Sequence, residues 1–280
     1  MPIHDQGYRR YLGSRAAVGR GWLVITKAGI RTVLAKRSFI GLMLLAWAPF
    51  VVRAVQIYIA ANFAQAASFL APKAETFREY LGQQGIFVFF VTIYIGAGLI
   101  ANDRRANALQ VYLSKPLTRA EYVAGKFAIL FLFLVAVTWV PAILLLIIQI
   151  LFAGSFTFFR ENIFLLPAIT LFSLVQVLVA TMTMLALSSM SKSSRFVGVM
   201  YAGLIFFTTA LFNAIRGITG LTSFAWISPT ETLEQLGNLI FRLPPAFDMS
   251  PIIAVIAIVT LIAGSAWILE RRVRGIEVVQ

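Results

Sequence analysis

Arg53 is the exceptional side chain inside the apolar stretches of this chain, and Gln56, Gln149 and Gln176 are the next polar candidates to line a path with it. Their chemistry is recognition, not bond making. A guanidinium can pair with an anion and an amide can share hydrogen bonds, but neither serves as a nucleophile or a proton carrier near neutral pH. The groups needed for acid–base, thiolate or metal chemistry are missing around them: there is no cysteine, the one histidine is His4, and the apolar stretches hold no Asp or Glu. Gly125-Lys126 resembles the end of a phosphate loop, yet Phe127 follows where Ser or Thr is required and no strand precedes it. No catalytic residue, metal ligand or bound cofactor is therefore expected in the chain itself.

The elements that must position these groups are membrane spans. The chain has 280 residues, 60% hydrophobic and 12% charged, with a mean hydropathy of +0.86; a soluble domain carries roughly 25% charged residues. The expected fold class is all-α, a polytopic bundle of six transmembrane helices, each of roughly 20 residues. They are placed at Phe39 to Ala61, Leu81 to Ala101, Phe127 to Leu151, Phe164 to Leu187, Phe196 to Ile215 and Pro251 to Leu269. A re-entrant piece within Ser155 to Leu166 is an alternative for the long uncharged run before Arg160. Pro141 and Pro167 are expected to bend their helices. Arg53, about 21 Å past Phe39 at helical rise, has three outlets: lining a polar path with Gln56, Gln149 and Gln176, snorkelling outward, or pairing with Glu75 or Glu79.

Charge sets orientation. The segment through Arg37 holds eight Lys/Arg, residues 102–126 five, Lys192 to Arg195 two and the tail three; the complementary loops hold five, Lys73, Arg78, Arg160, Arg216 and Arg242. Eighteen against five puts both termini in the cytoplasm, and the expected location is a bacterial-type inner membrane. The net charge of +13 thus reflects flanks of spans facing membrane lipid and supplies no nucleic-acid surface. Residues 1–20 lack the apolar core of a cleaved signal peptide. Residues 1–37 read as a tail and an amphipathic elbow helix, with Arg20, Lys27 and Arg31 on one side and Trp22, Ile25, Gly29 and Val33 on the other; a plain basic anchor is the simpler alternative. Residues 38–280 form the six-span domain.

Between the second and third spans lies a charged island, residues 102–126, with five basic and two acidic residues in 25. Asp103, Arg104 and Arg105 stand where a helix emerges, and Ala106 to Leu113 could prolong it. Lys115-Pro116 would stop it, since the residue before proline is pushed out of the α region. Thr118 and Glu121 then form a capping box, and Leu117 and Tyr122 a hydrophobic staple. The expectation is helix, sharp break, helix, although any cytoplasmic loop collects arginines and a proline turn.

The island resembles the loop after the second span in ABC-2 permease subunits of ABC transporters. The family pattern runs close to E-R-x-x-G-T-L, L-S-x-P, S/T-R-x-E and G-K. Asp103-Arg104, Asn107-Ala108-Leu109, Leu113-Ser114-Lys115-Pro116, Thr118-Arg119-Ala120-Glu121 and Gly125-Lys126 follow it without a gap. Asp103 is shorter than the usual Glu, and Asn107 and Ala108 replace Gly and Thr. The resemblance implies a permease, with Asp103, Arg104, Arg105, Lys115, Pro116, Thr118, Arg119 and Glu121 coupling to two cytoplasmic ATPase subunits that carry ATP and magnesium. It also implies a second copy or a related permease, and an exported hydrophobic or amphipathic substrate. A secondary transporter or channel, which would show intramembrane acids or internal repeats, and a noncatalytic scaffold are the alternatives.

The loop 216–250 is too long for a turn. Ser228-Pro229-Thr230-Glu231 is a helix start, with N-cap, proline at N1 and glutamate at N3. Leu233, Leu236, Ile240 and Leu243 follow at helical spacing, with Glu234, Gln235 and Asn238 expected to face elsewhere. This predicts a short external helix, either a gate or a simple cap.

Overall fold

The computed structural model describes residues 20–63, 73–108, 117–152, 160 and 162–273. Among them there are helices and no strands, and six helical segments are long and apolar enough to cross a membrane. An N-terminal helix, α1 (Gly21–Leu34), precedes a first span broken into α2 (Arg37–Ala46) and α3 (Ala48–Asn62). The second span is α4 (Ala74–Val91), a π turn at Thr92–Gly96 and the short α5 (Ala101–Arg105). The third is α6 (Arg119–Val137) followed by α7 (Trp139–Phe152); the fourth is α8 (Leu165–Met190), the fifth α9 (Ser194–Thr219) and the sixth α11 (Pro251–Arg272). Between the last two lie a 3₁₀ turn, Ser223–Ile227, and α10 (Pro229–Ile240).

Each interruption has a local cause. In the first span Pro49 supplies no N–H to the carbonyl four residues back, and the fully buried Gln84 of α4 donates its Nε2 to the Ala46 carbonyl at 3.2 Å beside the break. Pro141 does the same to the third span, where Thr138 turns its hydroxyl onto the Leu134 carbonyl at 2.9 Å. The bend expected at Pro167 is absent: this residue falls in the first turn of α8, where an N–H would have no helical acceptor anyway. Behind the π turn, Ser188 of α8 accepts from the amides of Ile100 and Ala101 at 3.1 and 3.0 Å and donates to the Ala97 carbonyl at 3.0 Å. A buried hydroxyl thereby satisfies backbone groups that a continuous helix would have paired. A Cβ at Gly96 would come within 2.3 Å of the Met184 side chain, so this crossing of α8 depends on glycine.

The hydrophobic core has two main parts. One, around Phe39, Val91, Leu130, Met184 and Val197, fills the half of the bundle nearest the island. The other, around Tyr80, Leu145, Ile169, Phe172 and Phe241, fills the opposite half, called the far end below. Large apolar side chains of α3, α9 and α11, among them Val52, Phe207 and Ile256, remain exposed on the flanks, as expected of surfaces that meet lipid or another membrane subunit.

Two boundaries differ from the sequence expectation. The second span begins at Ala74, seven residues before Leu81, because α10 covers the charged first turns of α4. The third begins at Arg119, so the second helix of the island runs straight into the membrane. The alternative re-entrant piece falls largely outside the described residues.

Candidate functional site

At the island end the charged residues are braced from two sides. Asp103 Oδ2 meets Lys126 Nζ at 2.7 Å and accepts from the Tyr122 hydroxyl at 2.7 Å, closing a ring between the first and last parts of the island. Arg104 donates to the Ser189 carbonyl at the end of α8. Helix α5 stops at Arg105, and Asn107 has a φ of 51°, a left-handed conformation that asparagine tolerates better than most residues. The helix expected to continue through Ala106 to Leu113 is interrupted at Ala106 and Asn107, and Ala108 is helical again; the rest of that stretch, with Lys115 and Pro116, lies outside the described residues.

Thr118 and Glu121 make both capping bonds, Thr118 Oγ1 accepting from the Glu121 amide at 3.2 Å and Glu121 Oε2 accepting from the Thr118 amide at 2.9 Å. The other carboxylate oxygen, Oε1, accepts from the Gly21 amide at 3.3 Å, so the group that starts α6 also holds the first residue of α1. Further along, the Thr26 hydroxyl donates to the Gly125 carbonyl at 3.3 Å. A Cβ on Gly125 would fall 2.8 Å from Ile25, and one on Gly29 would fall 2.1 Å from Ile129, so α1 and α6 touch nearly backbone to backbone. Lys27 and Arg31 of α1 remain exposed, and so do Arg105 and Arg119, which have no hydrogen-bond or ion-pair partner among the described residues.

At the far end the helices part. A cavity of about 910 Å³ opens between α4, α8, α9 and α10, within the range of ligand-sized sites. Its wall on α4 runs from Glu75 to Phe90, and the ring of Phe89 against Tyr201 and Phe206, with centroids 5.8 and 5.2 Å apart, narrows its inner part. Helix α10 forms the outer wall through Pro229, Leu233, Glu234 and Asn238. Of the four polar residues singled out in the sequence, Gln176 lines this space. Arg53 does not. It pairs with Glu79 Oε2 at 3.1 Å and donates to Gln56 Oε1 at 3.3 Å, the pairing outlet weighed for it above. Gln149 is buried on α7 away from the cavity.

The residue that sequence reasoning missed is Arg78. Taken for a loop cation, it lies in α4, 8% exposed, with NH2 donating to the Glu234 carbonyl at 3.1 Å and its guanidinium 4.9 Å from the centroid of Phe172. Gly237 lets it approach, since a Cβ there would fall 2.3 Å from Arg78 Nε. The signal for it was the i, i+3, i+4 set Glu75, Arg78, Glu79, a helical face just outside the apolar run.

Gln235 also departs from expectation. Instead of facing away it is buried, its Nε2 donating to the carbonyls of Phe247 and Met249 at 3.2 and 2.9 Å and its Oε1 accepting from the amides of Ala246 and Phe247 at 2.9 and 3.0 Å. It fastens the loop before α11. Glu231, half-buried at the third position of α10, has its carboxyl pushed above the usual range by burial and by Glu234, with Arg216 opposing.

Six apolar helices, a braced charged island and an open chamber are the arrangement against which known families can be compared. The model of a family described as ABC-2 family transporter protein matches residues 23–272. The chain belongs to the ABC-2 transporter family. A search of curated proteins returned no match. ABC-2 permease domains are transmembrane subunits that are normally non-catalytic, and membership implies partnership with an ABC ATPase subunit. The chain is accordingly a multi-pass membrane protein and a permease of an ABC transporter.

Proposed function

We propose that this permease exports hydrophobic or amphipathic compounds across a bacterial-type cytoplasmic membrane, with the island and both termini in the cytoplasm. Two permease chains, identical or related, would join two ATPase subunits that bind ATP and magnesium. The observation that carries the reading is the contrast along the bundle axis: a chamber walled mainly by apolar and aromatic groups opens in the far half, while the island half is packed around Leu130 and Met184. Such an asymmetry suits a transporter with its entrance closed and its exit side open. Closure of the ATPases on nucleotide would press the island, and the Asp103–Lys126 and Glu121–Gly21 contacts would pass that displacement to the second and third spans and to α1. Arg105 and Arg119, exposed on either side of the break, are the groups available to the partner.

Recruitment tests this directly. Reversing charge with Arg105→Glu and Arg119→Glu together should lower ATPase co-purification from membranes by about tenfold, the effect of two lost interfacial charge contacts, with permease abundance unchanged. Equal recovery of the ATPase would remove the island from the interface. Orientation has its own test in this cysteine-free chain: a cysteine at Asn238 should react with an impermeant thiol reagent in intact cells, and one at Ser114 should not.

A further inference from the structure

We infer that the far-end chamber binds a zwitterionic amphipath, its amine outermost, its phosphate one helical turn deeper on Arg78, and its apolar chain along the aromatic wall. The inference rests on the permease reading, because it names the class of molecule that the transporter's chamber would take.

The order of groups along α4 carries it. Glu75 stands exposed at the mouth with no hydrogen-bond or ion-pair partner among the described residues. Arg78 lies three residues further in, about 4.5 Å along the axis, a separation comparable with that between amine and phosphate in an ethanolamine phosphate ester. Glu79, at the depth of Arg78, is already paired with Arg53. Deeper still come Gly82 and Gly85, then Ile86, Phe89 and Phe90.

Among the described residues Arg78 is an almost fully buried cation with no carboxylate within ion-pair distance; its NH2 reaches only a backbone carbonyl, its Nε has no partner, and Glu234 acts on it only at longer range. A buried charge in this condition is costly until an anion arrives, and a guanidinium keeps enough donors to take a phosphate in bidentate fashion. The chamber reaches this guanidinium, since Arg78 and the neighbouring Gly82 both line it.

Gln176 supplies the second observation. It is 7% exposed, lines the chamber, and its amide makes no hydrogen bond among the described residues, with Oε1 fully buried and Nε2 near Gly85. Gly85 lies seven residues past Arg78, about 10 Å along the axis, so Gln176 stands well below the headgroup, beside the part of the chamber that would take the chain. Glu75 and Glu234, both on the chamber wall, disfavour a purely anionic headgroup and Arg78 a purely cationic one, which leaves the zwitterion.

The test uses the full chain purified in dodecyl maltoside and titrated calorimetrically with dihexanoyl phosphatidylethanolamine, dihexanoyl phosphatidylglycerol and phosphoethanolamine. The ethanolamine lipid should bind about tenfold more tightly than the glycerol lipid, the effect of one complementary charge contact. Arg78→Gln should weaken both lipids by about tenfold. Because Arg78 also anchors α10, Glu75→Lys at the exposed mouth is the second arm: it should invert the preference with an unchanged elution profile. Equal affinity for the two lipids, an unchanged preference in Glu75→Lys, or displacement by phosphoethanolamine as effective as by the lipid would overturn the inference. None of these titrations requires an ATPase, so their failure leaves the recruitment result standing, and equal ATPase recovery with the charge-reversed island, lipid selectivity being retained, would instead count against the transporter reading.

Discussion

The two ends of this bundle treat their polar groups in opposite ways. At the island end Asp103, Lys126, Tyr122, Arg104, Thr118 and Glu121 all have partners, and the bonds cross between segments distant in sequence. At the far end Arg78 and Gln176 are more deeply buried than any of these except Tyr122, yet Arg78 Nε and Gln176 Oε1 have no partner among the described residues. Polar burial with partners rigidifies; polar burial without them marks a place where something else is to be bound. A permease needs both, one end to take a push and another to hold and release a ligand.

The largest effect should come from breaking the braced end. Asp103→Ala leaves Lys126 largely buried without its acid and removes the bond from the Tyr122 hydroxyl to Asp103, and should lower stability by about 3 kcal/mol, read as a thermal shift of the purified chain. Adding Lys126→Met should return much of that loss; a double variant as unstable as the single one would show that the pair is not the relevant contact.

A second contrast lies within the far end, where Gln235 is fully bonded and Gln176 is not. Gln235→Ala should cost about 2 kcal/mol by stranding backbone groups of the Ala246 to Met249 loop. Gln176→Leu should be neutral or stabilising by up to about 1 kcal/mol and yet reduce transport, a pairing that a purely structural glutamine would not give. Equal destabilisation by the two substitutions would erase the distinction between brace and chamber.

The span architecture was legible because apolar length is a one-dimensional property, and the start of α6 was legible because a capping box needs only four neighbouring residues. Arg78 was not. Charges at 73, 75, 78 and 79 end the apolar run, and only the covering of α4 by α10, brought from more than 150 residues away, makes that turn part of the bundle. Gln235 misled for a related reason: helical periodicity gives it a face, but the loop that wraps that face is invisible to periodicity. Pro49 stands twelve residues into the first span and coincides with a break, whereas Pro167 stands in the first turn of the fourth and causes none, because only the former would have had to donate to a helical carbonyl.

The smallest predicted effect concerns Glu231. Its carboxyl is raised in the folded state by burial and by Glu234, so the folded protein holds that proton more tightly than the unfolded chain and stability falls as pH rises above the ordinary carboxylate range. Glu231→Gln should therefore melt slightly higher than the parent at pH 7, with the two curves converging toward pH 4. A difference that grows on acidification would reverse the sign assigned here.

The claim that joins both ends is that nucleotide acting at the island changes the chamber. The direct measurement places one cysteine at Gln176 in this cysteine-free chain and follows its modification by a thiol reagent in the complex with its ATPase. Between nucleotide-free and nucleotide-trapped complexes the rate should change by about tenfold, the shift of a two-state equilibrium by one decade, and Asp103→Ala should abolish the change. A rate unaffected by nucleotide, in a complex that still hydrolyses ATP, would contradict the account.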